Sequence, residues 1–113
     1  AYRFRDLMVA NSVDIIQPNV VISGGFTQCI RIAGMAQAFN VGIDNGGAWP
    51  HFNMHLHAGL AHGGMVEMHY LSVECCRQVF DGLPDPEGEW LTLPKKPGLG
   101  FEINQDAVKE FAY

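Results

Sequence analysis

The stretch Asp14–Val41, DIIQPNVVISGGFTQCIRIAGMAQAFNV, decides the fold. It opens on VDIIQPNVVI (13–22), whose apolar, β-branched character reads as a strand buried on both faces. Pro18 has no N–H to give a ladder, so regular pairing ends near it. Gly24-Gly25 breaks the pattern, and Thr27 is a candidate N-cap for a helix. Residues 28–39 (QCIRIAGMAQAF) set Cys29, Ile32, Ala33, Ala36 and Phe39 on one helical stripe. A second short strand follows at Val41–Ile43.

Working outward, RFRDLMVA (3–10) reads as the end of a preceding helix, with Asn11 suited to its C-terminal turn. On the other side, DNGGAWP (44–50) is a loop and FNMHLHAGLA (52–61) a helix stopped by Gly63-Gly64. MVEMHYL (65–71) is a third strand. Strand, helix, strand, helix, strand defines an α/β chain with a parallel sheet. The remainder, from Cys75 to Ile103, is rich in Pro and Gly and lacks a helical period. Within it, WLTLP (90–94) and GFEI (100–103) read as short strands. NQDAVKEFAY forms a terminal helix with Asn104 as its cap.

Composition narrows the function. With 48% hydrophobic and 17% charged residues the 113-residue chain is globular rather than disordered. A formal net charge of −5 argues against a nucleic-acid partner, whose phosphates need a basic face. No apolar run is long enough to span a membrane, and the first residues lack the apolar core of a signal peptide. The three cysteines, two of them adjacent, make a poor disulfide framework; reduced thiols point to a cytoplasmic protein.

Four blocks, in order, resemble the enolase superfamily of mandelate racemase and muconate lactonizing enzyme type. They are residues 14–41 with their Gly-Gly-x-Thr turn, the His-rich PHFNMHLHAGLA (50–61), MVEMHYL (65–71), and KPGLGFEINQDAVKEFA (96–112). The resemblance implies a (β/α)₈ TIM barrel of roughly 250 residues, of which this chain holds strands six to eight. Residues 1–88 would be the barrel part and 89–113 a tail returning to a capping domain. The implied activity is removal of a proton next to a carboxylate, with Mg²⁺ stabilising the enediolate. The family's Mg²⁺ ligands lie on earlier strands, so this chain is expected to supply none.

The implied site sits at the C-terminal ends of the strands. His51 is the candidate base, in a loop whose strict alignment would instead put Gly46 or Gly47 there. Asn19 stands where the family carries an aspartate to orient that base, which puts the usual dyad in question. A base upstream of the chain is the alternative. Glu67 matches a strand-eight glutamate expected to be buried, protonated and bonded to the substrate carboxylate. Asp44 and Trp49 complete the expected pocket, although Asp-Asn-Gly-Gly is also strong turn chemistry.

A small hydroxy-carboxylate is the implied substrate, and a homo-oligomer the implied assembly. Sugar-acid dehydration is the leading reaction because the His-rich loop suits a hydroxylated substrate. A racemase or epimerase, or a non-catalytic barrel relative, is the alternative. A zinc module on His51, His55 and His57 is a third possibility, weakened by the lack of a glutamate after the first histidine. Three parallel strands leave two open edges. The isolated chain is therefore expected to aggregate, and a monomer that melts cooperatively in sedimentation and calorimetry would contradict this.

Overall fold

In the computed structural model, which describes residues 1–112, three strands form a parallel sheet in chain order. They are β1 (Ile15–Ile16), β2 (Gly42–Asn45) and β3 (Gly63–Val66). Helix α1 (Tyr2–Val9) precedes them, α2 (Gly25–Phe39) joins β1 to β2, and α3 (Pro50–Ala58) joins β2 to β3. Ile15 pairs with Gly42 and Ile16 with Ile43. The main core lies between sheet and helices, where Met8, Ile16, Ile32, Ala33, Ala36 and Ile43 are buried together. Each of the larger ones, Met8, Ile16, Ile32 and Ile43, contributes about 1.5–3 kcal/mol through removal from water.

The β2–β3 register explains Asp44. Ile43 faces Gly63 and Asn45 faces Val66, so three steps on β3 meet two on β2, a β-bulge. The Met65 N–H, displaced from the ladder, donates to Asp44 Oδ1 at 2.8 Å. A Cβ at Gly64 would collide with that carboxyl and with the Ile43 carbonyl. Asp44 is therefore a strand residue that seals a bulge, and not part of the following turn.

Several boundaries differ from the sequence expectation. The first strand stops at Ile16, and Val20 to Gly24 turn directly into α2. Gly24, not Thr27, is the N-cap of α2. Phe39 is exposed, while the other four members of its stripe are buried. Gly63 and Gly64 lie inside β3 rather than ending a helix, and residues 70–79, expected to be irregular from Cys75 onward, form α4 (Tyr70–Val79). Only Val73 and Cys76 of α4 are buried, one turn apart, too narrow a stripe to show as a period. The asparagines behave as expected. Asn11 takes a left-handed conformation after α1, and Asn104 caps α5 (Gln105–Phe111) by accepting the Asp106 and Ala107 N–H groups.

The C-terminal segment folds back on α3. Strand β4 (Phe80–Asp81) pairs antiparallel with β5 (Glu102–Ile103). WLTLP is not a strand: only Trp90 makes an isolated bridge, to Glu87. Phe52 of α3 meets Phe80 and Phe101 edge-on at 5.6 and 5.2 Å, geometry that adds to their apolar burial. One turn apart on α3, His51 Nε2 bonds the Pro84 carbonyl and His55 Nε2 the Leu99 carbonyl, both at 3.0 Å.

Burial holds the His51 pKa below the ordinary 6.5, against the opposing bond to Pro84, and burial does the same for His57. The unfolded chain therefore binds protons that the folded one refuses. This stabilisation is complete above about pH 6.5 and is lost as pH falls toward the lowered folded-state values. The melting temperature should drop between about pH 7 and about pH 5, and less steeply in His51→Gln. A level profile across that window would contradict this.

Candidate active site

The C-terminal ends of the three strands meet at one turn, Gly46–Trp49. Gly47, Ala48 and Trp49 all have positive φ, at 76°, 74° and 62°. For residues bearing a Cβ this conformation costs about 1–2 kcal/mol each, so the surroundings must hold it. Asn19, just beyond β1, does so from one side. Its amide Nδ2 donates to the carbonyls of Gly46, Gly47 and Ala48 at 3.2, 3.1 and 2.9 Å, while Oδ1 accepts the Val21 N–H.

Glu67 holds the other side. It is the first residue beyond β3, and its Oε2 accepts the N–H groups of Gly47 and Ala48 at 2.7 and 3.0 Å. The next N–H, that of Trp49, donates to Ser72 Oγ on α4. From within α3, Asn53 donates to the Ala48 and Trp49 carbonyls and accepts the Val20 N–H. The turn thus has its carbonyls on two buried amides and two of its N–H groups on a carboxylate.

Asn19, the turn with Trp49, and Glu67 are therefore brought together on one rim. His51 is not with them. It is 1% exposed, bonded to Pro84 and packed edge-on against Phe101, with Nδ1 buried and unpartnered. No face of the ring is open to a substrate, and Asn19 does not touch it. The positions that strict alignment offers for a base hold Gly46 and Gly47, which have no proton-accepting side chain.

Glu67 is also in a different state from the one expected. The Ala48 and Gly47 amides hold its carboxyl below the ordinary 4.5, opposed only weakly by desolvation. It is an ionised acceptor and not a buried neutral acid. Trp49 also lines a cavity of about 280 Å³ with Cys75, Cys76, Gln78, Val79 and Phe111, beside α4 and α5.

No group of three metal-ligating side chains occurs among the described residues. His51 and His55 each commit Nε2 to a backbone carbonyl of the segment that folds back on α3, which explains their spacing without zinc. Asn53, 0% exposed, was missed by sequence reasoning. It sits where a helical first turn is expected, and nothing local signals that its amide reaches two loops.

Parallel strands with helical crossovers, whose ends carry a polar, hydrogen-bonded rim, define an α/β fold with its candidate site at the strand ends. The family model for "enolase C-terminal domain-like" proteins matches residues 1–107, and the chain belongs to that family. D-galactonate dehydratase of Xanthomonas campestris pv. campestris (strain B100) is 29% identical over 96% of the chain. Arabinonate dehydratase of Saccharolobus solfataricus is 26% identical over 97%. The chain spans 31% and 30% of these two relatives.

Among solved structures, a mandelate racemase/muconate lactonizing enzyme from a marine actinobacterium, in complex with magnesium, superposes with a TM-score of 0.83 at 28% identity. The match covers 95% of this chain and 30% of that one. A mandelate racemase/muconate lactonizing enzyme-like protein from Rubrobacter xylanophilus gives 0.83 at 27%, over 96% and 30%. Among the described residues no helix is long and apolar enough to cross a membrane.

The rim explains why residue 19 is an asparagine. A carboxylate there would set acceptors against three carbonyls and leave them without donors. Asn19→Asp is expected to cost about 3 kcal/mol and to loosen the turn, read by denaturant melts and hydrogen exchange at Gly47 and Ala48. Unchanged exchange at those amides would remove Asn19 from this role.

Proposed function

We propose that the chain is the C-terminal third of a Mg²⁺-dependent sugar-acid dehydratase of the enolase superfamily. The observation that carries this is the convergence of Asn19, the Gly46–Trp49 turn and Glu67 on one strand-end rim. The dehydratases among the relatives support the reaction class. In this reading the three strands are barrel strands six to eight, residues 1–88 belong to the barrel, and 89–113 pack on a capping domain. Mg²⁺ is held by carboxylates on strands outside this chain; the residues described here offer it no ligand set. The base also lies outside, since Gly46 and Gly47 occupy the aligned positions and His51 is enclosed by the segment that folds back on α3.

Glu67 is the substrate-facing group that this chain supplies. Its Oε2 is taken by the two turn amides, and Oε1 has no hydrogen-bond partner among the described residues. An ionised Oε1 accepts a hydrogen bond from a substrate hydroxyl, which suits a polyhydroxylated acid. Trp49 shapes the wall of the pocket in this reading, while the Asp44 carboxyl is committed to the β-bulge. The full-length protein is a soluble, cytoplasmic homo-oligomer in this reading.

The test is a screen of the full-length polypeptide against acid sugars with Mg²⁺, following release of 2-keto-3-deoxy acids. Dehydration that chelation abolishes is the expected result. No turnover, together with no exchange of the α-proton in D₂O, would overturn the proposal. Glu67→Gln keeps an acceptor for the turn amides and is expected to fold normally with turnover reduced about 10–100-fold. Equal activity in that variant would remove Glu67 from the site.

A further inference from the structure

We infer that Asn19 is a positioning residue for Glu67, acting on it through the two peptide groups of the rim turn that lie between them. The link to catalysis rests on the function proposed above; the link to Glu67 rests on hydrogen-bond geometry alone. The two side chains take opposite ends of the same peptide groups. In the Gly46–Gly47 peptide, the Gly46 carbonyl accepts from Asn19 Nδ2 at 3.2 Å and the Gly47 N–H donates to Glu67 Oε2 at 2.7 Å. In the Gly47–Ala48 peptide, the Gly47 carbonyl accepts from Asn19 Nδ2 at 3.1 Å and the Ala48 N–H donates to Glu67 Oε2 at 3.0 Å.

A peptide group is rigid and planar, and in the trans form its C=O and N–H point opposite ways. Holding each carbonyl toward Asn19 therefore holds each N–H toward Glu67. Successive hydrogen bonds also polarise one another, so a donor on the carbonyl makes the N–H beyond it a better donor. Asn45 Nδ2 shares the Gly46 carbonyl at 3.0 Å, but among the described residues no other side chain bonds the Gly47 carbonyl. Asn19 is itself fixed. It is 3% exposed, its Oδ1 accepts the Val21 N–H, and its own carbonyl accepts the Ile22 and Ser23 N–H groups at 3.1 and 2.7 Å. The Ala48 carbonyl, which Asn19 shares with Asn53, belongs to the next peptide, whose N–H goes to Ser72 and not to Glu67. His69 is the other titratable group acting on the Glu67 carboxyl, and its charge favours the ionised form. Asn19 makes no hydrogen bond to Glu67 and reaches it through the backbone.

The test uses the full-length protein with ¹³C-labelled glutamate, the Glu67 carboxyl being assigned by its loss in Glu67→Gln. Asn19→Ala removes the side-chain donor that both carbonyls share. Ser72→Ala frees the Trp49 N–H and leaves the two linking peptides alone. The Glu67 titration is expected to move up toward the ordinary carboxylate value in Asn19→Ala and to stay in place in Ser72→Ala. On the substrate found by the screen, kcat of Asn19→Ala should fall about tenfold, with KM within about threefold. An unmoved titration in folded Asn19→Ala would overturn the inference. Equal movement in Ser72→Ala would overturn it too, since general loosening of the turn would then suffice. A moved titration with unchanged kcat would overturn the link to the reaction.

Should Asn19→Ala fail to fold, the wild-type protein decides the question. The Asn19 Nδ2 resonance is expected to shift with the midpoint of the Glu67 titration, and to lose that shift in Glu67→Gln. An Nδ2 resonance that ignores the titration refutes the coupling. A wild-type protein without any turnover would defeat the proposed function, while both NMR readouts would still decide the role of Asn19.

Discussion

The rim depends on one constraint: a left-handed backbone run that cannot hold itself. Gly47, Ala48 and Trp49 take positive φ in succession, and two of them carry a Cβ. Each hydrogen bond holding the turn is worth about 1 kcal/mol net, the scale of the strain per residue. The turn is therefore held jointly by Asn19, Asn53, Glu67 and Ser72. These residues come from the ends of β1 and β3 and from α3 and α4, so the turn is as much a product of the sheet as of its own sequence. Backbone strain held by its surroundings in this way is concentrated at functional sites.

The same logic gives several polar side chains a task. Asp44 takes the Met65 N–H that the bulge leaves without a ladder partner. His51 and His55 hold the segment that folds back on α3 through its carbonyls, and the Phe52, Phe80 and Phe101 cluster closes beside them. His57 is different. It is buried with neither ring nitrogen partnered, and it lines a cavity of about 560 Å³ with Met54, Met65 and Trp90. Met65, on the edge strand β3, and Trp90 are 77% and 78% exposed.

The alternation of elements was legible because it rests on local physics. Apolar β-branched runs, the Cys29–Ile32–Ala33–Ala36 stripe and the Asn104 cap act within a few residues of one another. The family was legible for a related reason, since four ordered blocks carry the turns and close contacts that its backbone requires. Helix α4 was not legible, because a helix burying only Val73 and Cys76 leaves too weak a periodicity. Strand β4 was not either: two residues become a strand only when Ile103 and Glu102 arrive to pair with them.

The site divides along the same line. Sequence alone placed Asn19 after the first strand, the Asp44–His51 segment after the second and Glu67 on the third, because strand order and the alternation with helices put them there. Only the tertiary structure decided their chemistry. A histidine six residues past a strand can face a pocket or the segment that folds back on α3, and contacts with Pro84 and Phe101, more than thirty residues away, turned His51 to the latter. A glutamate can be a neutral donor or an ionised acceptor, and two amides from a neighbouring strand's loop made Glu67 the latter. Side-chain chemistry of this kind is set by partners distant in sequence, and no local pattern encodes which partner arrives.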